Sequence, residues 1–206
     1  MILLLSGSAS APVTIALAVV AYLLGSIPSG LLFGRWLADT DVRSSGSGNI
    51  GAANVTRVAG ARAGALVLTF DLIKGAVPVL VGRWLGLNPI DLAIVAGLTV
   101  VGHDFSLFLK LRGGKGVAAT LGSAAALAIL PAAASALVWL AVTGSSRISA
   151  LGSLLALWTL PLFMAIFDQR PEYICVTFGL SLLSVYTHRE NIARLARGQE
   201  NRLGRG

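Results

Sequence analysis

Charge is scarce in this sequence. Of its 206 residues only 12% are Asp, Glu, Lys or Arg, about half the share of an ordinary soluble domain. A chain so poor in charge cannot cover a water-facing surface of usual composition. Cysteine is scarcer still: Cys175 stands alone, which excludes an intrachain disulfide. The two histidines, His103 and His188, lie far apart with no cysteine beside them, so no metal-ligand spacing is present and no metal or other cofactor is expected. Acidic residues are outnumbered nine to sixteen, giving a net charge of +7. The basic residues fall in short loops and the C-terminal tail rather than in an aromatic-interleaved patch, so nucleic acid is not expected as a partner. A basic stretch ahead of the first apolar run is also missing: the first charged residue is Arg35. The start, MILLLSGSASAPV, is therefore read as an exposed end leading into a retained membrane helix, not as a cleaved signal.

What is present is apolar length. The chain is 55% hydrophobic with a mean hydropathy of +0.81, and several runs approach the ~20 residues that cross a bilayer as helix. Spans are expected at 12–36, 63–81, 89–109, 148–167 and 172–186. The run 117–142 is too short for two full crossings at ~1.5 Å rise per residue, so two half-helices meeting near Pro131 are expected there. No internal repeat or low-complexity linker interrupts the chain. The expected fold is all-α and polytopic, about seven membrane helices in a single domain over residues 1–206. Placing the loop 39–62, the loop around Lys115 and the tail on one face gathers thirteen basic residues there and leaves Arg83 and Arg170 opposite. The positive-inside rule then makes that face cytoplasmic, the C-terminus with it, and puts the N-terminus outside.

Three polar islands converge on that face. The first, residues 44–57, reads SSGSGNIGAANVTR. Its glycines Gly48 and Gly51, with Asn49 and Asn54, suit a backbone concavity for an anion. Ser47 adds a hydroxyl and Arg57 a planar fork matched to phosphate oxygens. The second, residues 111–116, reads LRGGKG and offers Gly113, Gly114, Lys115 and Gly116. The third lies in the tail, with His188, Asn191 and Glu200. Two familiar nucleotide motifs are excluded by context. Residues 46–51 match G-x-G-x-x-G, but no strand precedes them and Asp71, about twenty residues on, lies inside an apolar run. The lysine loop has Leu109 where a Walker A sequence needs its first glycine, and Gly116 where it needs Ser or Thr.

In this order, GSGNIGAAN…R, GH…GGKGVA…T and HRENI…GxExR resemble the three motifs of the bacterial PlsY family, integral-membrane acyl-phosphate:glycerol-3-phosphate acyltransferases. The resemblance extends over essentially the whole chain, including FDLIKG in the second span. It implies a seven-helix membrane fold with its active site toward the cytoplasm of the inner membrane. It also implies transfer of a fatty acyl group from acyl phosphate to the 1-hydroxyl of glycerol 3-phosphate, yielding lysophosphatidic acid and inorganic phosphate at the first acylation of phospholipid synthesis. Carried over by motif position, Ser47, Arg57, Lys115, His188 and Asn191 are the expected catalytic residues. Gly48, Asn49, Gly51, Asn54, His103, Gly113, Gly114 and Gly116 are expected to bind phosphate, and Asp71, Lys74 and Glu200 to support the site. No protein partner beyond the membrane lipid is expected.

The residues agree with that chemistry. Two anionic phosphates held together need cations and oriented N–H groups, which Arg57, Lys115 and the glycine loops supply. The histidine-x4-aspartate dyad of acyl-CoA-dependent acyltransferases is absent: Phe108 follows His103 at that spacing and Ala193 follows His188. The resemblance implies substrate assistance, in which a phosphate oxygen of a bound substrate accepts the proton, with His188 the competing base. Ala53, Ser106 and Thr187 depart from residues usual in the family, and Ala53 removes a side-chain hydroxyl from the first motif. A small transporter of a phosphorylated solute is the rival class, since it too needs basic groups and broken helices.

Overall fold

Apolar runs dictate helices, because only a helix satisfies every backbone N–H and C=O within one segment in lipid. The computed structural model describes residues 11–203; the expected exposed start at residues 1–10 lies outside them. Nine α-helices follow in order among the described residues: α1 Ala11–Ser26, α2 Ser29–Ala38, α3 Ala52–Trp84, α4 Pro89–Asp104, α5 Val117–Leu127, α6 Ile129–Ser146, α7 Ser149–Phe167, α8 Pro171–Thr187 and α9 Arg189–Ala196. No strand occurs among these residues. Among the described residues five segments are long and apolar enough to cross a membrane: Ala11–Ala38, Ala52–Trp84, Pro89–Leu109, Ile129–Ser146 and Ser149–Phe167. The fold is that of an all-α, multi-pass integral membrane protein.

Three helix boundaries differ from expectation, each for a local reason. The first span is broken at Ile27–Pro28, where the proline supplies no N–H. The second begins at Ala52, eleven residues earlier than the expected start at 63. Its first two turns are helical but set off by Gly60, whose φ of 89° and ψ of 166° bend the chain; only glycine takes such angles freely. The third correction concerns Pro131. The break lies at Ala128 (φ −155°, ψ 118°), and α6 runs a full 18 residues from Ile129, so the second element is no half-helix. Pro131 sits in its first turn, where a missing N–H costs nothing.

Packing brings the break in the first span against α4. Gly25 and Gly102 let the two backbones meet: a Cβ on Gly25 would lie 2.0 Å from the Thr99 carbonyl oxygen, and one on Gly102 2.2 Å from that of Tyr22. Close approach through small residues is the usual route to helix association in lipid. The main apolar cluster joins α1, α3, α4, α5, α6, α7 and α8 through Ala21, Val79, Val95, Ala124, Ala132, Leu160 and Tyr173. A second cluster, with Val42, Ile50, Val55 and Val67, fixes the loop before α3 onto that helix. The result leaves the N-termini of α3 and α5 facing a common space.

Candidate active site

A cavity of about 710 Å³ lies between α3, α5, α6 and the tail. All five residues expected to be catalytic line it: Ser47, Arg57, Lys115, His188 and Asn191. Gly51, Asn49, Asn54, His103, Gly116, Asp71 and Glu200 also reach its wall. Gly48, Lys74, Gly113 and Gly114 stand behind it. One end is polar. The other runs along α6 through Ile129, Ala133, Ala136 and Leu140 and along α3 through Ala61, Ala65 and Leu68, one face of each helix at spacings of three and four.

The first loop is organised from within by Asn54. Its amide nitrogen donates to the carbonyls of Val42 (2.9 Å), Ser45 (3.2 Å) and Asn49 (2.8 Å), and its oxygen accepts from the Ser47 N–H at 2.8 Å. Asn49 in turn accepts from the Gly51 N–H at 2.8 Å, and the Gly48 N–H goes to the Ser45 carbonyl. The expectation that Asn54 and the N–H groups of Gly48 and Gly51 bind phosphate therefore gives way to a structural role: their hydrogen bonds are spent holding the loop. The backbone donors this loop leaves to the cavity are those of the α3 N-terminus at Ala52 and Ala53, which helix geometry leaves without intrahelical partners.

The lysine loop is corrected in the same way. Gly113 donates its N–H to the Asp104 carbonyl and Gly114 to that of His103, both at 3.0 Å. These two glycines therefore do not present N–H groups to an anion. They are glycines because α4 lies against them: a Cβ would fall 1.9 Å from the His103 carbonyl oxygen at Gly113 and 2.1 Å from His103 Nε2 at Gly114. The turn ends at Gly116, with φ of 70°, and opens the N-terminus of α5 onto the cavity. Lys115 stands at that terminus, the position where helix dipole and free N–H groups favour an anion. His103 is buried behind the loop, with Nδ1 3.7 Å from Asp71 Oδ1.

The tail completes the polar end. Lys115 Nζ donates to Asn191 Oδ1. Asn191 Nδ2 donates to Glu200 Oε1 at 2.9 Å, and Arg194 Nε to Glu200 Oε2 at 2.8 Å. Glu200 thus sets which way the Asn191 amide faces. Burial, reinforced by the charge of Arg194, brings the Lys115 ammonium down to about 8. Burial and the neighbouring Lys115 charge bring His188 down to about 4, so its ring is neutral at pH 7. Its Nδ1 lies 2.9 Å from the Ser184 carbonyl, which can only accept. The proton therefore sits on Nδ1, leaving Nε2 as an acceptor.

Sequence reading missed several contributors. Ala52 and Ala53 carry no polar side chain, so only the early start of α3 reveals them. Trp139, whose indole nitrogen donates to Ser153 Oγ at 3.1 Å, lines the apolar part with Ser153, and Asn201 and Leu203 border the mouth. Leu203 donates its N–H to the Arg147 carbonyl at 2.7 Å, tying the tail to the turn between α6 and α7. Glu200, within the GxExR motif, is the one sequence signal for this strap.

Comparison with known proteins agrees with this geometry. The model of the family described as glycerol-3-phosphate acyltransferase matches residues 15–198. The chain is 48% identical over 191 residues to a glycerol-3-phosphate acyltransferase of Myxococcus xanthus, covering 92% of this chain and all of that one. It is 44% identical to glycerol-3-phosphate acyltransferase 2 of Moorella thermoacetica, covering 90% and 95% of the two chains. It resembles the crystal structure of PlsY, an integral membrane glycerol 3-phosphate acyltransferase, in its glycerol 3-phosphate form, with a TM-score of 0.89 and 36% identity over 93% of this chain and 96% of that one. The lysophosphatidic acid form of the same enzyme gives 0.86 and 35% over the same shares. Motifs, fold and relatives agree, and the chain belongs to the glycerol-3-phosphate acyltransferase family, the PlsY family that its three islands resemble.

Proposed function

We propose that this protein transfers a fatty acyl group from acyl phosphate to the 1-hydroxyl of glycerol 3-phosphate, from a site facing the cytoplasm in the inner membrane. The observation that carries the reading is the meeting of two helix N-termini, those of α3 and α5, with Arg57 and Lys115 in one cavity that continues into an apolar slot. Two phosphates need two such anion sites, and an acyl chain needs the slot. Seven membrane helices in one domain follow if α1 with α2, and α3, α4, α6, α7 and α8 singly, cross the bilayer while the 11-residue α5 enters it only part-way. The loop before α3, the lysine loop and the tail then share the basic face.

In this reading one phosphate binds at Lys115 and the first turn of α5, and the other at Arg57, Ser47 and the first turn of α3. Charge neutralisation at both allows two anions to approach within reacting distance. The 1-hydroxyl oxygen attacks the acyl carbonyl, the bond between carbonyl carbon and phosphate oxygen breaks, and phosphate leaves with the bonding electrons. His188 Nε2 aligns the attacking hydroxyl. The hydroxyl proton ends on phosphate, because a phosphate monoester with a second pKa of about 6 is a stronger base than an imidazole held at about 4. No cofactor is required by this chemistry, since acyl phosphate is already an activated anhydride.

The test is direct. Purified protein in lipid is given palmitoyl phosphate and glycerol 3-phosphate. Release of phosphate that requires both substrates, with one lysophosphatidate per phosphate, supports the transferase. Uptake of glycerol 3-phosphate into sealed vesicles without acyl transfer would establish the transporter instead.

A further inference from the structure

Phosphate-binding groups leave half of glycerol 3-phosphate unaddressed. The molecule also carries two hydroxyl groups, and each needs an acceptor once water is displaced. The carboxylates lining the cavity are Asp71 and Glu200. Both Glu200 oxygens already accept, from Asn191 and Arg194. The motif asparagines are spent as well: Asn49 on Gly51, Asn54 on Ser47, and Asn191 on Lys115.

Asp71 differs because its bonds fall on one oxygen. Oδ1 accepts from Ser29 Oγ at 2.6 Å and from Lys74 Nζ at 2.8 Å, with His103 Nδ1 at 3.7 Å. Lys74 also donates to the Ile27 carbonyl at 2.9 Å, so the break between α1 and α2 clamps the carboxylate from behind. Oδ2 receives no hydrogen bond among the described residues, and it is not among their fully enclosed, unpartnered atoms. The residue is nevertheless only 2% exposed. A carboxylate held this rigidly on the cavity wall, with one oxygen unpartnered among the described residues, has an unused capacity to accept.

Resting on the acyltransferase reading, we propose that Asp71 Oδ2 accepts a hydrogen bond from the non-reacting 2-hydroxyl of glycerol 3-phosphate. Asp71 is then a substrate-contacting residue that selects a glycerol phosphate over a phosphate ester lacking that hydroxyl. The 1-hydroxyl belongs to His188, which stands beside Lys115 and Asn191 at the polar end.

The experiment compares glycerol 3-phosphate with 1,3-propanediol monophosphate, its analogue without the 2-hydroxyl, both with palmitoyl phosphate as donor. The wild-type protein is expected to favour glycerol 3-phosphate about 10- to 100-fold in kcat/KM, the loss of a bond to a charged acceptor. In the double variant Asp71→Leu/Lys74→Met, apolar groups of similar volume replace the buried pair, an exchange that proteins often tolerate; the ratio is expected to fall to within about 3-fold of unity. Ser29→Ala leaves Oδ2 untouched and keeps the wild-type ratio. Ligand-induced thermal shifts give the same comparison, so a slow variant still reports. A wild-type protein that does not discriminate, or a double variant that keeps the wild-type ratio, overturns the assignment. Collapse of the ratio in His188→Gln but not in the double variant also overturns it, by giving the hydroxyl to the imidazole. Acylation of neither phosphate by wild-type protein would instead sink the transferase reading itself.

Discussion

Replacing Asn54 by alanine separates a loop organiser from a phosphate ligand. The side chain ties Val42, Ser45, Ser47 and Asn49 together through four contacts of 2.8 to 3.2 Å. A net hydrogen bond contributes about 1 kcal/mol. Because two amide hydrogens serve three carbonyls, and water replaces some of the loss in a part-exposed loop, the expected cost is about 2–4 kcal/mol of local stability. At about 1.4 kcal/mol per decade, opening of the loop becomes roughly 30- to 1,000-fold more frequent. Hydrogen–deuterium exchange over residues 42–51 reads this directly, and the Ser47 amide, whose acceptor is deleted, is expected to lose protection most. Steady-state kinetics should show a lower kcat, because Ser47 and the α3 N-terminus lose their shared geometry. If exchange stays at wild-type rates while only the KM for a phosphorylated substrate rises, Asn54 is a ligand and the loop argument fails.

Other outcomes follow from single contacts. Gly114→Ala forces a Cβ to within 2.1 Å of His103 Nε2 and is expected to abolish turnover and lower the unfolding temperature. Gly144→Ala meets nothing within 4 Å in the last turn of α6 and should leave activity intact with equal or higher stability; equal effects of the two in a thermal-unfolding and activity assay would refute the packing claim. The alkaline limb of kcat/KM should fall with an apparent pKa near 8. Lys115 is charged below that value and neutral above it, while the substrate reaches its dianion above about 6. His188, neutral above about 4, adds no limb between. Lys115→Arg should move the alkaline limb beyond pH 10, and an unmoved limb would exclude the lysine as its source. Glu200→Gln removes an acceptor from Asn191 or Arg194 and should lower kcat/KM about 10- to 100-fold in protein that still inserts and purifies. Wild-type rates there would show that the Asn191 amide needs no such support.

The sequence made the site legible where residue type alone carries chemistry. Arg57 and Lys115 could be named because cations beside glycine turns suit few other roles, whereas Ser47, His188 and Asn191 were named through motifs that resemble those of the family. It misled where the destination of a hydrogen bond depends on a distant segment. Gly113 and Gly114 look like anion donors until α4 is seen to take both N–H groups, and Asn54 looks like a ligand until its four partners are known. Helices were legible from apolar length, but Pro131 was overweighted as a breaker because its distance from the helix start could not be read. Ala52–Ala59 was hidden by the polar residues around it, although alanine is the strongest helix former. Asp71 and Lys74 were visible as a pair three apart; that one carboxylate oxygen has no partner among the described residues is a fact of packing with Ser29 and Ile27.

The central claim is that two phosphoryl groups are gripped at once, one at each helix N-terminus. Titration of glycerol 3-phosphate into protein saturated with a non-transferable acyl phosphonate tests it most directly. A ternary complex, with a glycerol 3-phosphate Kd within about tenfold of its value without the phosphonate (about 1.4 kcal/mol), is the expected result. A Kd that climbs in proportion to phosphonate concentration would mean a single anion site for which the two ligands compete, and would contradict the account.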